Sequence, residues 1–437
     1  MTSSSFKQIG LNKKFLRVVK DLYFENPTKI QAEVIPLILN GKSVVGQSQT
    51  GSGKTHAFLL PLLQNFNKDK DETQIVITAP TRELSIQIHT EIKELLSLLG
   101  EDGTIVPRLI TGGMDRPKMM KQLQHKAHII IGTPGRILDM VNEGVLSIYS
   151  ATSFVIDEAD LMLDMRFIEE IDQLLVKSNQ LVQILVFSAT IPISLQHFIK
   201  KYLNNPITIK IGEKLSPEKL EHWLIDKRHR DVGELLLDMT NAIQPYVAII
   251  FVNSKDSADN IVNYLKQKGL SVGVLHGDLT SRERVRTVKA ITNLQYQYIV
   301  ATDLASRGID LKGASHVINA ELPKELNFYV HRVGRTARAG SKGLAINIFT
   351  EEDLPLIQQL EKNGILFKYV DIKNSQWTET KKYDYRKGRK EFLTEVDKEA
   401  WKRVKKTKKV KPGYKKKMKK EQEKIKRELL NKKNKHK

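Results

Sequence analysis

Short apolar runs, each closing in small or polar residues, recur along most of the chain and alternate with amphipathic stretches. In the first half they are IVITAP (75–80), HIIIGTP (128–134), FVIDEA (154–159) and ILVFSAT (184–190). In the second half they are YVAIIFVNS (246–254), VGVLHG (272–277), YIVATD (298–303), HVINAE (316–321) and AINIFT (345–350). Runs of this kind, rich in β-branched residues, predict buried strands. Their alternation with helical pattern predicts βαβ units and parallel sheets. Open sheets of that type bind ligands beyond the carboxyl ends of their strands, so the polar residues that close each run come first as candidates for chemistry.

A polar segment, KIGEKLSPEKLEHW (210–223), separates the two halves and carries Gly212 and Pro217, which predicts a linker. A chain of 437 residues is too long for one ordinary core. The expected organisation is an α/β domain over 1–212, a second over 213–372, and a tail from 373.

Charge changes that picture at one end only. The whole chain carries a formal +21, but residues 381–437 hold 26 Lys+Arg against 8 Asp+Glu, a net +18, while residues 1–380 hold 45 against 42, a net +3. The tail has too few apolar residues to fold onto a core, so it is expected to be disordered in isolation. Such a charge run reads either as a solvated, solubilising segment or, since its lysines and arginines suit phosphates and Trp377, Tyr383, Tyr385, Trp401 and Tyr414 suit unpaired bases, as a flexible RNA tether. The absence of cysteine excludes a disulfide framework, a thiolate metal site and a cysteine nucleophile. No signal peptide is visible at MTSSSFKQIGLNKK, and no apolar stretch approaches the ~20 residues of a spanning helix. A cytoplasmic protein without membrane contact, monomeric by default, is expected.

Candidate chemistry starts at SQTGSGKT (48–55), between the apolar pair Val44–Val45 and the helix-like HAFLLPLL. Glycines let backbone N–H groups close around phosphates, Lys54 reaches the outer phosphates, and the Thr55 hydroxyl suits Mg²⁺. The loop residues Ser48, Gln49, Thr50, Gly51, Ser52, Gly53, Lys54 and Thr55 are thus the candidate nucleotide cradle, with Ser48 where the strict pattern has Gly. FVIDEADLMLDM (154–165) supplies the acids. Carboxylates are costly at the end of a buried strand unless something pairs with them. After a phosphate loop, Asp157 is placed to hold Mg²⁺ and Glu158 to take a proton from the attacking water. ATP and Mg²⁺ are the expected ligands.

DEAD at 157–160, with SQTGSGKT before it and SAT (188–190) after it, resembles the DEAD-box ATP-dependent RNA helicases. PTREL (80–84), GG (112–113), TPGR (133–136), ATDLASRGID (301–310) and HRVGRTAR (331–338) continue the resemblance in order, over roughly residues 6–370. It implies two RecA-like domains in tandem, with ATP and RNA bound across the cleft between them. FENPTKIQ (24–31) resembles the segment that reads adenine, with Phe24 stacking on the base and Gln31 bonding its edge; Lys29 stands where the family usually has Pro. By the same resemblance Asp310 holds the ribose, and Ser188 and Thr190 link hydrolysis to domain movement. His331 couples the sites, and Arg335 and Arg338, one helical turn apart, are arginine fingers, with Ala337 in place of the more usual Gly. Thr81, Arg82, Gly113, Thr133, Arg136, Arg284 and Thr302 are the implied RNA contacts. Their hydroxyls, amides and guanidinium groups suit backbone rather than base edges. The family's Gln-x-x-Arg appears as SRER (281–284), with Ser281 at the Gln position.

The activity implied is RNA-dependent ATP hydrolysis that separates short duplexes or remodels RNA–protein complexes. The compact body and short basic tail look most like bacterial members acting in cold adaptation, ribosome assembly or RNA turnover, with ribosomal-precursor or RNA-degradation partners. Two other readings use the same residues: an ATP-gated RNA clamp without productive unwinding, and a DNA-directed helicase.

Overall fold

The computed structural model describes residues 5–49, 51–113, 115–203, 206–211, 219–243, 245–303, 314–336, 343–382, 403–404 and 424–425. The first sheet is built from β1 (Val44–Gln47), β2 (Ile75–Thr78), β3 (Pro107–Ile110), β4 (Ile129–Gly132), β5 (Ser153–Ile156), β6 (Gln183–Ser188) and β7 (Ile207–Lys210). Its order is β3-β4-β2-β5-β6-β1-β7, with every pairing parallel. Along its central strands Val44, Ile77 and Leu185 face one apolar cluster, while Val45, Val76 and Val186 face another. Both faces are therefore covered, which is why these strands read as continuous apolar runs.

The second sheet comprises β8 (Leu220–Asp226), β9 (Ala248–Val252), β10 (Val272–Leu275), β11 (Tyr298–Thr302), β12 (His316–Asn319), β13 (Gly343–Phe349), β14 (Phe367–Lys373) and β15 (Gln376–Glu379). They run in the order β10-β11-β9-β12-β13-β8-β14-β15. Ile250 and Val252 face one cluster and Ile249 and Phe251 the other. The chain is thus two mostly parallel α/β lobes in tandem.

Two features differ from the sequence reading. The segment taken as a linker includes Leu220–Trp223, which form the start of β8 between β13 and β14. His222 is buried and Glu221 exposed, and that alternation of polar side chains hid the strand. Trp377, counted with the tail, sits in β15 and meets Trp223 edge-on at 5.1 Å. A two-residue turn joins β14 to β15, with Asn374 and Ser375 both at positive φ (49° and 59°), the geometry that lets a hairpin close.

By contacts the chain divides into Met1–Thr378 and Glu379–Lys437. The first unit holds the described sheets up to Thr378. In the second, only residues 379–382, 403–404 and 424–425 are described, so the expectation of a disordered tail falls almost wholly outside the described residues. No helix among the described residues is long and apolar enough to cross a membrane.

Candidate active site

β1 delivers the phosphate loop. Its register sets Gln47 beside Ser188 of β6, and the Ser48 N–H donates to the Ser188 carbonyl at 3.1 Å. Gly51 and Gly53 adopt positive φ (79° and 92°), a conformation glycine enters without penalty. Gly53 is tight as well as turned: a Cβ there would lie 2.7 Å from Gln31 Nε2. Gly53 caps the helix Lys54–Gln64, so the loop ends on a helix N-terminus, where backbone N–H groups and the dipole favour anions. The Lys54 ammonium is buried and donates to the carbonyls of Ser48 (2.9 Å) and Gln49 (3.4 Å). It lies 3.5 Å from the Glu158 carboxylate. Ser48, standing where the pattern has Gly, is buried, with its hydroxyl 2.7 Å from that of Ser52.

The acids answer β1 from the end of β5, with Ser188 of β6 beside them. Asp157 follows β5, its N–H donating to the Thr78 carbonyl at 3.0 Å. Only 3% of it is exposed. Burial pushes its carboxyl up to about 7, the neighbouring Glu158 charge adds to the rise, and Lys54 opposes it. Glu158 enters the helix Ala159–Asp164 at φ +52°, an uncommon setting for a non-glycine residue and one associated with functional sites. Its Oε2 is buried, accepts no hydrogen bond among the described residues, and lies 3.9 Å from His331 Nδ1.

Asp160 was not among the candidates, yet it is the best-satisfied acid of the group. It is wholly buried and accepts from the N–H and the hydroxyl of Thr190, both at 2.8 Å. His331 Nε2 stands 3.4 Å away. Its own N–H donates to Ser188 Oγ (3.1 Å), and that hydroxyl donates to the Thr190 carbonyl (2.6 Å). Burial pushes this carboxyl up, but the nearby His331 charge and the two hydrogen bonds from Thr190 outweigh it and hold it well below the usual range. Asp160 therefore ties Ser188 and Thr190 to His331 of the second lobe. The signal was present in the sequence as the last letter of DEAD, to which no role had been assigned.

The helix Leu326–Val333 carries His331. It ends at Val333, so Arg335 lies beyond it rather than on the helical turn expected from the spacing. Arg335 is still buried and lines one cleft of about 230 Å³ with Gly53, Lys54, Thr55, Asp157, Glu158 and His331. Thr50, Asp310 and Arg338 lie outside the described residues. Thr55 and Asp157 offer hydroxyl and carboxylate oxygens, the hard donors Mg²⁺ prefers. A buried carboxyl raised by desolvation is the kind of group a divalent cation relieves. The residues present fit that ion.

Arg332, next to His331, was missed altogether. It is 1% exposed, and all five of its N–H groups have acceptors. Asp303 takes two (2.6 and 2.7 Å), Asn319 Oδ1 one (3.1 Å), the Glu321 carbonyl one (2.6 Å) and Asn253 Oδ1 one (2.7 Å). Asn319 continues to Asn347 (2.7 Å), which donates to the Trp223 carbonyl (2.8 Å). One guanidinium thus binds the carboxyl ends of β9, β11 and β12 to the helix that carries His331.

Of the adenine candidates, Phe24 is half-buried and meets His56 edge-on at 5.0 Å. Gln31 is buried within its own lobe: its Oε1 accepts from the Thr28 N–H (2.9 Å) in a capping box, and its Nε2 donates to the Gly53 carbonyl (3.2 Å). It braces the phosphate loop. The RNA candidates of the first lobe gather where β3, β4 and β2 end side by side. Gly113 stands at positive φ (76°), Thr133 precedes the helix Pro134–Asn142, and Thr81 caps the helix Arg82–Leu98 through the Leu84 N–H (3.2 Å). Arg82 begins that same helix, and Arg136 pairs with Asp139 at 3.1 Å. In the second lobe Thr302 closes β11, and Arg284 forms an ion pair with Glu83 across the lobes.

Residues 28–198 match the DEAD/DEAH box helicase family, and residues 229–340 match the helicase conserved C-terminal domain. The chain is 48% identical over 429 residues to the DEAD-box ATP-dependent RNA helicase CshB of Bacillus subtilis, covering 98% of each. It is 41% identical to CshB of Staphylococcus aureus, covering 89% of this chain and 86% of that one. Among solved structures, S. cerevisiae Dbp5 bound to RNA and ADP BeF3 superposes with a TM-score of 0.77 at 28% identity, over 88% of this chain and 98% of that one. With two RecA-like lobes, a phosphate loop facing Asp157 and Glu158, and relatives matched nearly end to end, the chain belongs to the DEAD-box ATP-dependent RNA helicases and is an ATP-hydrolysing enzyme.

Proposed function

We propose that this chain is an RNA-dependent ATPase that unwinds short RNA duplexes and remodels RNA–protein complexes in the cytoplasm, in ribosome assembly, RNA turnover or cold adaptation. The observation that carries this reading is the single cleft in which Lys54, Asp157 and Glu158 of one lobe meet His331 and Arg335 of the other. A site split between lobes works only when they close, and the RNA candidates lie on the strand ends of the same two lobes. Each ligand then favours the closed form that the other needs, and that coupling is reciprocal.

In this reading residues 1–212 form the first domain and the chain from 213 through β15 the second, so that the RNA tether expected over 373–437 starts only after β15. The loop from Ser48 to Thr55 cradles the phosphates, and Lys54 turns from its loop carbonyls to the outer ones. Mg²⁺, held by Thr55 and Asp157, neutralises phosphate charge when bound. Glu158, held near Lys54 at an unusual backbone angle, takes the proton of the attacking water. Arg335, with Arg338, meets the charge that develops on the transferring phosphate, worth about 10³–10⁵ in rate in other NTPases. Asp160, Ser188, Thr190 and His331 report the result between the lobes. Phe24 and Asp310 hold base and ribose, with Gln31 supporting the loop from below.

Steady-state ATP hydrolysis without nucleic acid, with single-stranded RNA, and with single-stranded DNA of the same sequence tests the reading. Glu158→Gln is the control. Stimulation by RNA alone, lost in the variant, is expected. Equal stimulation by DNA contradicts the RNA assignment, and hydrolysis without strand separation over many turnovers favours the clamp. Removal of residues 381–437 is expected to flatten the slope of log RNA affinity against log salt; an unchanged slope removes the tether.

A further inference from the structure

Tyr23 breaks two local rules at once. The helix Lys13–Asp21 ends with the Phe24 N–H on the Val19 carbonyl (2.8 Å) and the Tyr23 N–H on the Lys20 carbonyl (2.9 Å). That is a Schellman ending, whose left-handed position belongs to glycine in most helices. Here the position holds tyrosine at φ +58°. Its ring is 91% exposed, so no burial offsets the strain. A side chain that costs stability and packs against nothing points to a use outside the fold.

The surroundings indicate which use. Tyr23 and Phe24 wall a groove of about 530 Å³ whose other apolar members include Phe6 and Val19, with Lys20 and Glu25 beside them. Phe24 is the link between this groove and the phosphate cleft. Its edge meets His56, the residue after Thr55, and His56 itself lines the phosphate cleft. His56, Phe24 and Tyr23 thus lead from the residue after Thr55 to the groove wall.

We propose that Tyr23 is a base-contacting residue: its ring extends the wall formed by Phe24 and packs on the adenine of the nucleotide whose phosphates lie on the loop Gly51–Lys54. This rests on the nucleotide reading of that loop. An aromatic face is chemically suited to a purine, and the pair leaves the base edge open to polar groups. The left-handed backbone serves to turn the ring outward from the end of the helix instead of into the core.

Tyr23→Gly tests this because its two effects have opposite signs. Glycine relieves the backbone, so the melting temperature is expected to equal or exceed that of the parent. Loss of the ring is expected to raise the KM for ATP and the Kd for ADP about three- to tenfold, with kcat at saturating ATP within about twofold of the parent. Tyr23→Phe keeps the ring and is expected to restore both constants. Unchanged KM and Kd in Tyr23→Gly overturn the proposal. So does a loss confined to RNA affinity, which would assign the ring to an RNA base. The parent and Glu158→Gln, run in the same assay, report separately on whether the phosphate loop hydrolyses ATP at all.

Discussion

Asp157 in the first lobe and Arg332 in the second are both charges sunk near the carboxyl ends of parallel strands, and their surroundings are opposites. Arg332 has an acceptor for each of its five N–H groups and rests over the Phe251 ring at 5.2 Å. Asp157 accepts from the Glu158 N–H at 3.0 Å, sits beside the Glu158 charge, and is pushed up to about 7 by its burial. A buried charge with a complete set of partners is architecture; its removal leaves acceptors stranded. A buried charge short of compensation is held at a cost, and it marks the place where a cation and a phosphate are to be received. Asp160, three residues on and in the first turn of the helix Ala159–Asp164, belongs with Arg332: it accepts twice from Thr190 and faces His331.

The contrast predicts a series of effects. Arg332→Ala strands Asp303, Asn319 and Asn253 at once and is expected to cost about 3–5 kcal/mol, read as a lower urea midpoint; an unchanged midpoint would place Arg332 outside the architecture. His222 comes next. It is buried, its Nδ1 lies 2.7 Å from the Tyr329 hydroxyl, and burial pushes it down to about 4. A histidine whose folded pKa lies below its unfolded one favours the unfolded state once protonated. Stability is therefore intact above about pH 6.5, falls as pH drops below that, and has lost roughly 3 kcal/mol near pH 4. Unfolding of His222→Asn should be less pH-dependent over that window; an equal dependence would assign the acid sensitivity elsewhere. Thr190→Val removes one of the two Thr190 bonds to Asp160 and is expected to cost about 2 kcal/mol, with a smaller loss if water replaces the hydroxyl. A melting temperature above that of the parent would show that Asp160 is not held by Thr190.

Much of this was legible in the sequence, and the reason is physical. Parallel strands covered on both faces must be apolar throughout, so β2, β4, β5, β6, β9 and β11 read directly as runs. The phosphate loop and the Asp157–Glu158 pair are contiguous, so their chemistry is written in order. What stayed hidden falls into two kinds. The edge strands β3, β7 and β15, and the alternating β8 and β14, keep polar side chains in the pattern and raise no run. Partnerships between distant residues left no trace either. The Arg332 acceptors come from positions 253, 303, 319 and 321, Gln31 reaches Gly53, and Arg284 meets Glu83 across 201 positions. Residue type gives the charge; only the fold says whether it is already answered.

Asp157→Asn puts that distinction to its most direct test. Thermal unfolding of the variant and the parent is compared without nucleotide and with EDTA, alongside RNA-stimulated ATP hydrolysis with Mg²⁺. The variant is expected to melt several degrees higher at pH 8, because a costly buried charge is gone, while hydrolysis is lost. A variant that melts lower than the parent would show that the Asp157 charge is already satisfied within the fold, and would contradict the account.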